Sequence, residues 1–428
     1  MLYACCFFAV DIAADKSKII ILYYVIMRRS LFFFALSFLC LSVICSCSKE
    51  DVQLPDPQQG EVSGDLPMSA AYIMDSTYLT ANHLKVYNFV YPSVDPYGEP
   101  IMLSGAITMG DDVSRDTPAK GLLLYNHFTV YRADQCPSRG ELSTQGMATG
   151  MGLITISADY YGFGVTEHHH QAYCLAHYNA QTCIDALVAA KQLLSQIGYS
   201  WDDMLFNVGY SQGGQTAMGV VCIAAERYPD LNITYTLAGA GSYDLPETYR
   251  CFVDATIAGM PSTVISVMLS YNEYKQVGLS MAEMFLEPVL SHIDEWIFSK
   301  RYTRPEIDAM VGSLSIEDYM VPALLDTTSA SARSLMAALD SDNLCKGWTP
   351  RGNEHIMLFH STRDITVPVS NTQRMYDFLT SNGVQDVDLQ IYDIDGTATN
   401  PAHENASLRF GILALQKIKG ILGIDSAL

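Results

Sequence analysis

Short, continuous apolar runs recur along the chain at residues 121–125, 152–158, 204–208, 234–240, 355–359 and 389–392. Runs of this length without polar alternation suit strands covered on both faces, as in a parallel sheet. Between them the apolar period changes: over 183–197, Ile184, Leu187, Val188, Leu194 and Ile197 fall on one helical face. Strand then helix, repeated, predicts an α/β fold with a mostly parallel, doubly wound sheet. Ahead of it, two β-rich runs at 85–91 and 100–108 flank a segment carrying Pro92, Asp95, Pro96 and Gly98, which predicts an antiparallel opening pair joined by a turn. The alternation is interrupted from 245 to 343, where helical periods rich in Met, Tyr and Ser contain no convincing strand. This stretch is expected to form a helical cap inserted into a core made of 69–244 and 344–428. It would cover the carboxyl edge of the sheet, where α/β proteins place their sites.

The first 47 residues follow a different pattern. Two apolar runs, 19–26 and 31–44, flank Met27-Arg28-Arg29-Ser30, and neither reaches the ~18 residues that a membrane span requires. A basic start, an apolar stretch and Ser46 before Cys47 resemble a bacterial lipoprotein signal, with Cys47 as the lipid-modified first residue and Met27 as the true start. The expected location is therefore outside the cytoplasm, lipid-anchored to the outer membrane of a Gram-negative bacterium. Lys49-Glu50-Asp51 is similar to the charged tags that send some such proteins to the cell surface. Residues 48–68 are rich in Pro, Gln, Gly and Asp and read as a flexible tether.

Composition sharpens this division. The chain of 428 residues carries a formal charge of −21, and removal of residues 1–47 takes away four basic and two acidic residues, giving −23. The acidity thus belongs to the folded body, which argues against nucleic acid as a partner and leaves the lipid at Cys47 as the one expected membrane contact. With 49% hydrophobic residues, disorder is excluded for most of the chain. Six cysteines lie beyond Cys47 with no Cys-x-x-Cys or zinc-like spacing, and they read mainly as buried thiols. His168-His169-His170 does not predict a metal site, because three adjacent side chains point in different directions and no acidic or thiol partner is suitably spaced. Neither metal nor cofactor is expected, and the oligomeric state is left open.

Chemistry concentrates at Gly209-Tyr210-Ser211-Gln212-Gly213, a Gly-x-Ser-x-Gly motif that directly follows the apolar run 204–208 and precedes a helical period at 214–225. Strand, sharp turn and helix form a nucleophile elbow. Ser211 would be held over the sheet edge at the positive end of a helix, with the Gln212 N–H aimed at a developing oxyanion. Elbow enzymes place an acid and then a histidine after the serine in chain order. Only His292, His355, His360 and His403 follow Ser211. His292 falls in the cap, and His355 and His360 bracket a strand. His403, in the loop before a final helix at 405–421, is the expected base. Asp364, four residues past the strand 355–359, is the expected acid, with Asp393 and Asp395 as runners-up. The second oxyanion donor is expected from the loop after run 121–125, at the Phe128 N–H with Thr129 close behind, and His127 is expected to brace that turn.

Residues from about 85 to 422 resemble the α/β-hydrolase superfamily, and within it the secretory-lipase-like esterases. The resemblance rests on Tyr91-Pro92-Ser93, Leu124-Tyr125-Asn126-His127, 158–164, Gly209 to Gly214, Ala238-Gly239-Ala240-Gly241 and Asp364-x-x-Val367-Pro368. It implies a cofactor-free serine hydrolase acting on a small-molecule carboxylic ester. One departure stands out: such hydrolases often carry His-Gly at the oxyanion turn, and this chain has His127-Phe128. Two other readings are carried forward. An aminopeptidase-type enzyme of the same fold would need an acidic pocket for a peptide amine, for which Glu283, Glu287 and Glu295 of the cap are available. A surface lipoprotein could also keep the fold as a binding module without catalysis.

Overall fold

The computed structural model describes residues 70–79, 83–140, 150–397 and 401–424. The candidate lipidation site Cys47 and the targeting and tether segments lie outside the described residues. Among the described residues nine strands form one sheet in the order β1-β2-β3-β5-β4-β6-β7-β8-β9. The opening pair is antiparallel, β2 (Leu84–Val94) against β3 (Pro100–Gly110), with Leu84 facing Gly110 and Val94 facing Pro100. From β5 onward the sheet is parallel: β4 (Gly121–Asn126), β5 (Leu153–Ala158), β6 (Leu205–Tyr210), β7 (Tyr235–Gly239), β8 (His355–Ser361) and β9 (Asp386–Tyr392). Every residue of β4, β5, β6 and β7 is buried, which is why these strands read as unbroken apolar runs.

Alternate residues of these strands feed opposite layers. Phe206, Val208, Leu237 and Phe359 pack on one face against Phe410, Ala414 and Ile418. Ala238, Ile356 and Leu358 face the other side and meet Ala217, Val221, Met375 and Leu379. The helices that supply these contacts are α1 (Ala176–Gln196), α2 (Gln212–Arg227), α7 (Ser370–Ser381) and α8 (Ala402–Ile421). Between β7 and β8 the chain runs through α3 (Leu245–Ala255), α4 (Pro261–Tyr274), α5 (Arg304–Val311) and α6 (Ala330–Asp340), joined by short helical turns. Their inner residues, among them Ile265, Ile307 and Leu335, share a continuous core with α1 and the early strands. Among the described residues no helix is long and apolar enough to cross a membrane.

Three elements depart from the sequence reading, each for a physical reason. A further strand, β1 (Tyr72–Leu79), adds antiparallel to β2, with Tyr72 opposite Val90. It is an edge strand that is exposed along most of its length, so no apolar alternation marks it. Helix α1 begins at Ala176 rather than 183. Its N-terminus is capped from far along the chain: both carboxylate oxygens of Asp342 accept, one from Ala176 N at 2.5 Å and one from His177 N at 3.1 Å. Helix α8 begins at Ala402, with Pro401 as its N-cap and Asn405 N donating to Pro401 O at 3.0 Å. His403 therefore sits in the first helical turn and not in the preceding loop.

Candidate active site

The elbow is built from local constraints. Ser211 adopts φ 60° and ψ −123° between the end of β6 and the start of α2, a region that L side chains rarely occupy. Two backbone bonds hold it there, Ser211 N to Gly239 O at 2.8 Å and Gln215 N to Ser211 O at 3.0 Å. Gly213 has no room for a side chain: a Cβ would stand 2.0 Å from Asn126 O and 2.9 Å from His127 O. This close approach sets the start of α2 beside the loop that leaves β4. Beneath the elbow, buried Asn207 of β6 donates to Ala217 O of α2 at 2.8 Å and accepts from Asn126 Nδ2 of β4 at 2.8 Å. A polar pair inside an apolar sheet thus fastens α2 to two strands.

Ser211 Oγ lies 2.8 Å from His403 Nε2, and His403 Nδ1 lies 2.5 Å from Asp364 Oδ2. His403 and Asp364 are buried. Because Nδ1 faces only a carboxylate, it carries the ring proton, and the Nε2 lone pair is left to accept from the serine hydroxyl. The backbone of His403 is held as well, its carbonyl accepting from Tyr210 OH at 2.6 Å. The residue before the serine thereby anchors the histidine that contacts the serine.

Asp364 is the most heavily bonded group of the cluster. Its Oδ1 accepts from Thr366 N at 2.8 Å and Val367 N at 2.9 Å, while Oδ2 faces His403 and, at 3.3 Å, His360 Nε2. Burial alone would raise this carboxyl. The His403 imidazole and the hydrogen bond from His360 outweigh that effect and hold it well below the usual carboxylate range. His360 Nε2 also faces Val367 O at 2.8 Å, and its Nδ1 is 2.6 Å from Thr372 Oγ1. Nε2 meets two acceptors, so it bears the proton, and Thr372 donates to Nδ1. Sequence reasoning set His360 aside as a strand-end residue. Its place four residues before Asp364, at the end of the same strand, was the available signal.

The other sequence candidates separate cleanly. Asp393 is exposed and paired with Arg363 at 2.6 Å, and Asp395 accepts from Gly396 N. His127 is buried and stacked on Tyr160 with ring centroids 4.0 Å apart, its ring nitrogens 2.7 Å from Phe128 O and 3.2 Å from Asp159 O. Burial lowers its pKa, which suits a neutral brace. His170 pairs with Glu273 at 2.7 Å and stacks on Phe298. Glu283 caps Ser280, Glu287 bonds Ser291, and Glu295 bonds Tyr302. Among the described residues no group of three or more potential metal ligands occurs, and all six cysteines are free.

Above Ser211 opens a cavity of about 630 Å³, part of it open to solvent. Ser211 and Gln212 lie at its sheet side, and α3, α4 and α6 line it with Phe252, Val264, Met268 and Leu335. Among the described residues its polar character is limited to uncharged groups such as Ser242, Thr248 and Thr366, and no carboxylate or basic side chain lines it. Phe128, whose side chain is 40% exposed, is not part of this wall.

Comparison with known proteins bears on the family and the fold. The sequence profile of the secretory lipase family matches residues 145–408. A candidate hydrolase from Legionella pneumophila superposes with a TM-score of 0.68 at 21% identity, over 81% of this chain and 90% of that one. The rice cell wall degrading esterase LipA from Xanthomonas oryzae gives 0.66 at 20% identity, over 83% and 98%. Candida antarctica lipase A in its closed state gives 0.62 at 15% identity, over 85% and 87%. A search of curated proteins finds no match. At these identities the structural likenesses establish the fold, that of the α/β-hydrolases.

Proposed function

Because the chain belongs to the secretory lipase family, whose members are ester hydrolases, we propose that it cleaves carboxylic esters through Ser211, His403 and Asp364. The observation that supports this most directly is the unbroken relay Ser211 Oγ to His403 Nε2 to Asp364 Oδ2, at 2.8 Å and 2.5 Å. Ser211 Oγ attacks the ester carbonyl as His403 Nε2 takes its proton, giving a tetrahedral oxyanion and an imidazolium stabilised by Asp364. The Gln212 N–H, with the Phe128 N–H as second donor, receives the oxyanion. Collapse returns the proton to the leaving alkoxide and leaves an acyl-Ser211 ester. Water, deprotonated by His403, then releases the acid. The uncharged, largely apolar cavity favours an ester carrying an aliphatic or aromatic group. It offers no carboxylate for a peptide amine, so the peptidase reading receives no support from the wall.

A fluorophosphonate probe is expected to label Ser211 stoichiometrically and to abolish hydrolysis of p-nitrophenyl esters. Absence of labelling in folded protein would favour a non-catalytic binding module instead. We further propose export with a lipid anchor at Cys47. Cys47→Ala, expressed in a Gram-negative host, is expected to move the protein from the membrane pellet to the soluble fraction. Unchanged fractionation would overturn the anchor.

A further inference from the structure

Sharing Tyr173 with the catalytic cavity is a smaller one bordered by Tyr131, Phe163, Ser266, Phe298, Gln171 and Lys300. The Tyr173 hydroxyl is 2.7 Å from Thr129 Oγ1. Lys300 is only 8% exposed. Its ammonium donates to Glu167 O and His169 O at 2.5 Å each and stands 5.5 Å from the centre of the Phe163 ring. These contacts use two of its three donors and provide no negative charge. Glu167, the carboxylate whose charge acts on it, is paired with Arg139, and Lys300 takes part in no ion pair among the described residues. A buried ammonium without a direct ion-pair partner is costly. The wall also holds an unused donor: Gln171 Nε2 is buried without a partner.

From these two donors we infer a site for a small monovalent anion, bound between the Lys300 ammonium and the Gln171 amide within an aromatic wall. The ligand class is a halide or a short carboxylate such as acetate, the latter a product that hydrolysis of an acetyl ester would release. The chemistry is specific for sign and size. The ammonium would repel a cation, and the rings of Tyr131, Phe163 and Phe298 exclude a bulky anion. Burial pushes the Lys300 pKa down to about 8, with the Glu167 carboxylate opposing, so the ammonium stays charged at neutral pH.

The test uses the folded protein at pH 7 and constant ionic strength, with chloride or acetate replacing the larger gluconate. An anion that binds only the native state raises Tm in a saturating manner. A rise with both ions identifies the general small-anion site, and a rise with only one identifies which source it serves. Lys300→Met is expected to lose the response. If that variant does not fold, Gln171→Met should weaken the response at least several-fold while keeping the charge. Crystals soaked in bromide should show an anomalous peak within hydrogen-bond reach of Lys300 Nζ. A flat Tm in the wild-type protein, an equal rise in the variants, or no bromide peak would each overturn the site and leave an ordered water as its occupant. Ser211→Ala protein should respond like the wild type, so the result is independent of the catalytic proposal.

Discussion

Ser211→Ala is expected to lower kcat on p-nitrophenyl butyrate by about 10³- to 10⁶-fold, the range that loss of a serine nucleophile produces, with Tm and KM close to wild type. Alanine keeps the Cβ that already sits at φ 60°, together with both backbone bonds that hold the elbow. The substitution removes only Oγ, so the loss reads chemistry and not folding. The cavity also holds the Cys174 thiol, which burial pushes up to about 12, leaving almost no thiolate at neutral pH. Residual turnover should therefore be the slow water reaction helped by the oxyanion donors. Retention of more than about a tenth of the rate would place the nucleophile elsewhere.

Asp364→Asn should cost about 10⁴-fold in kcat, by a different route. Asn can still accept from Thr366 N and Val367 N through its oxygen, which leaves its NH₂ facing His403 Nδ1 and His360 Nε2. Two donors cannot face each other, so His403 must move its proton to Nε2. There it confronts Ser211 with a hydrogen where a lone pair is needed. The same substitution has a stability signature. The native carboxyl titrates well below a free Asp, at about 4, so its stabilisation is complete above that range and is lost as pH falls toward the native value. Urea midpoints measured from pH 6 down to pH 3 should fall more steeply for the wild type than for the variant, narrowing the gap between them. Parallel curves, or activity within tenfold of wild type, would reassign the acid to another carboxylate.

Which features were legible in the sequence follows from how far apart their determinants lie. The parallel strands were readable because burial on both faces leaves unbroken apolar runs such as Leu122 to Tyr125 and Leu237 to Ala240. Strand β1 was not, because an exposed edge imposes no apolar pattern. The true start of α1 was also hidden, since its capping carboxylate, Asp342, comes from more than 160 residues away. The role of His360 was missed for a related reason: a buried imidazole that orients an acid looks, in sequence, like any strand-end histidine.

The sequence by itself determined the alternating α/β plan, the elbow around Ser211 and the short order of candidates behind it. Each of these is encoded in contiguous residues, through apolar period and through glycines where no Cβ fits. Tertiary structure decided what contiguous residues cannot encode. It brought His403, 192 positions on, to 2.8 Å from Ser211. It also gave Asp364 a second imidazole, lined the cavity without charge, and left the Lys300 ammonium beside a wall of rings. These depend on which surfaces the packed layers turn toward one another, and that is fixed by the balance of burial and hydrogen-bond satisfaction over the whole chain.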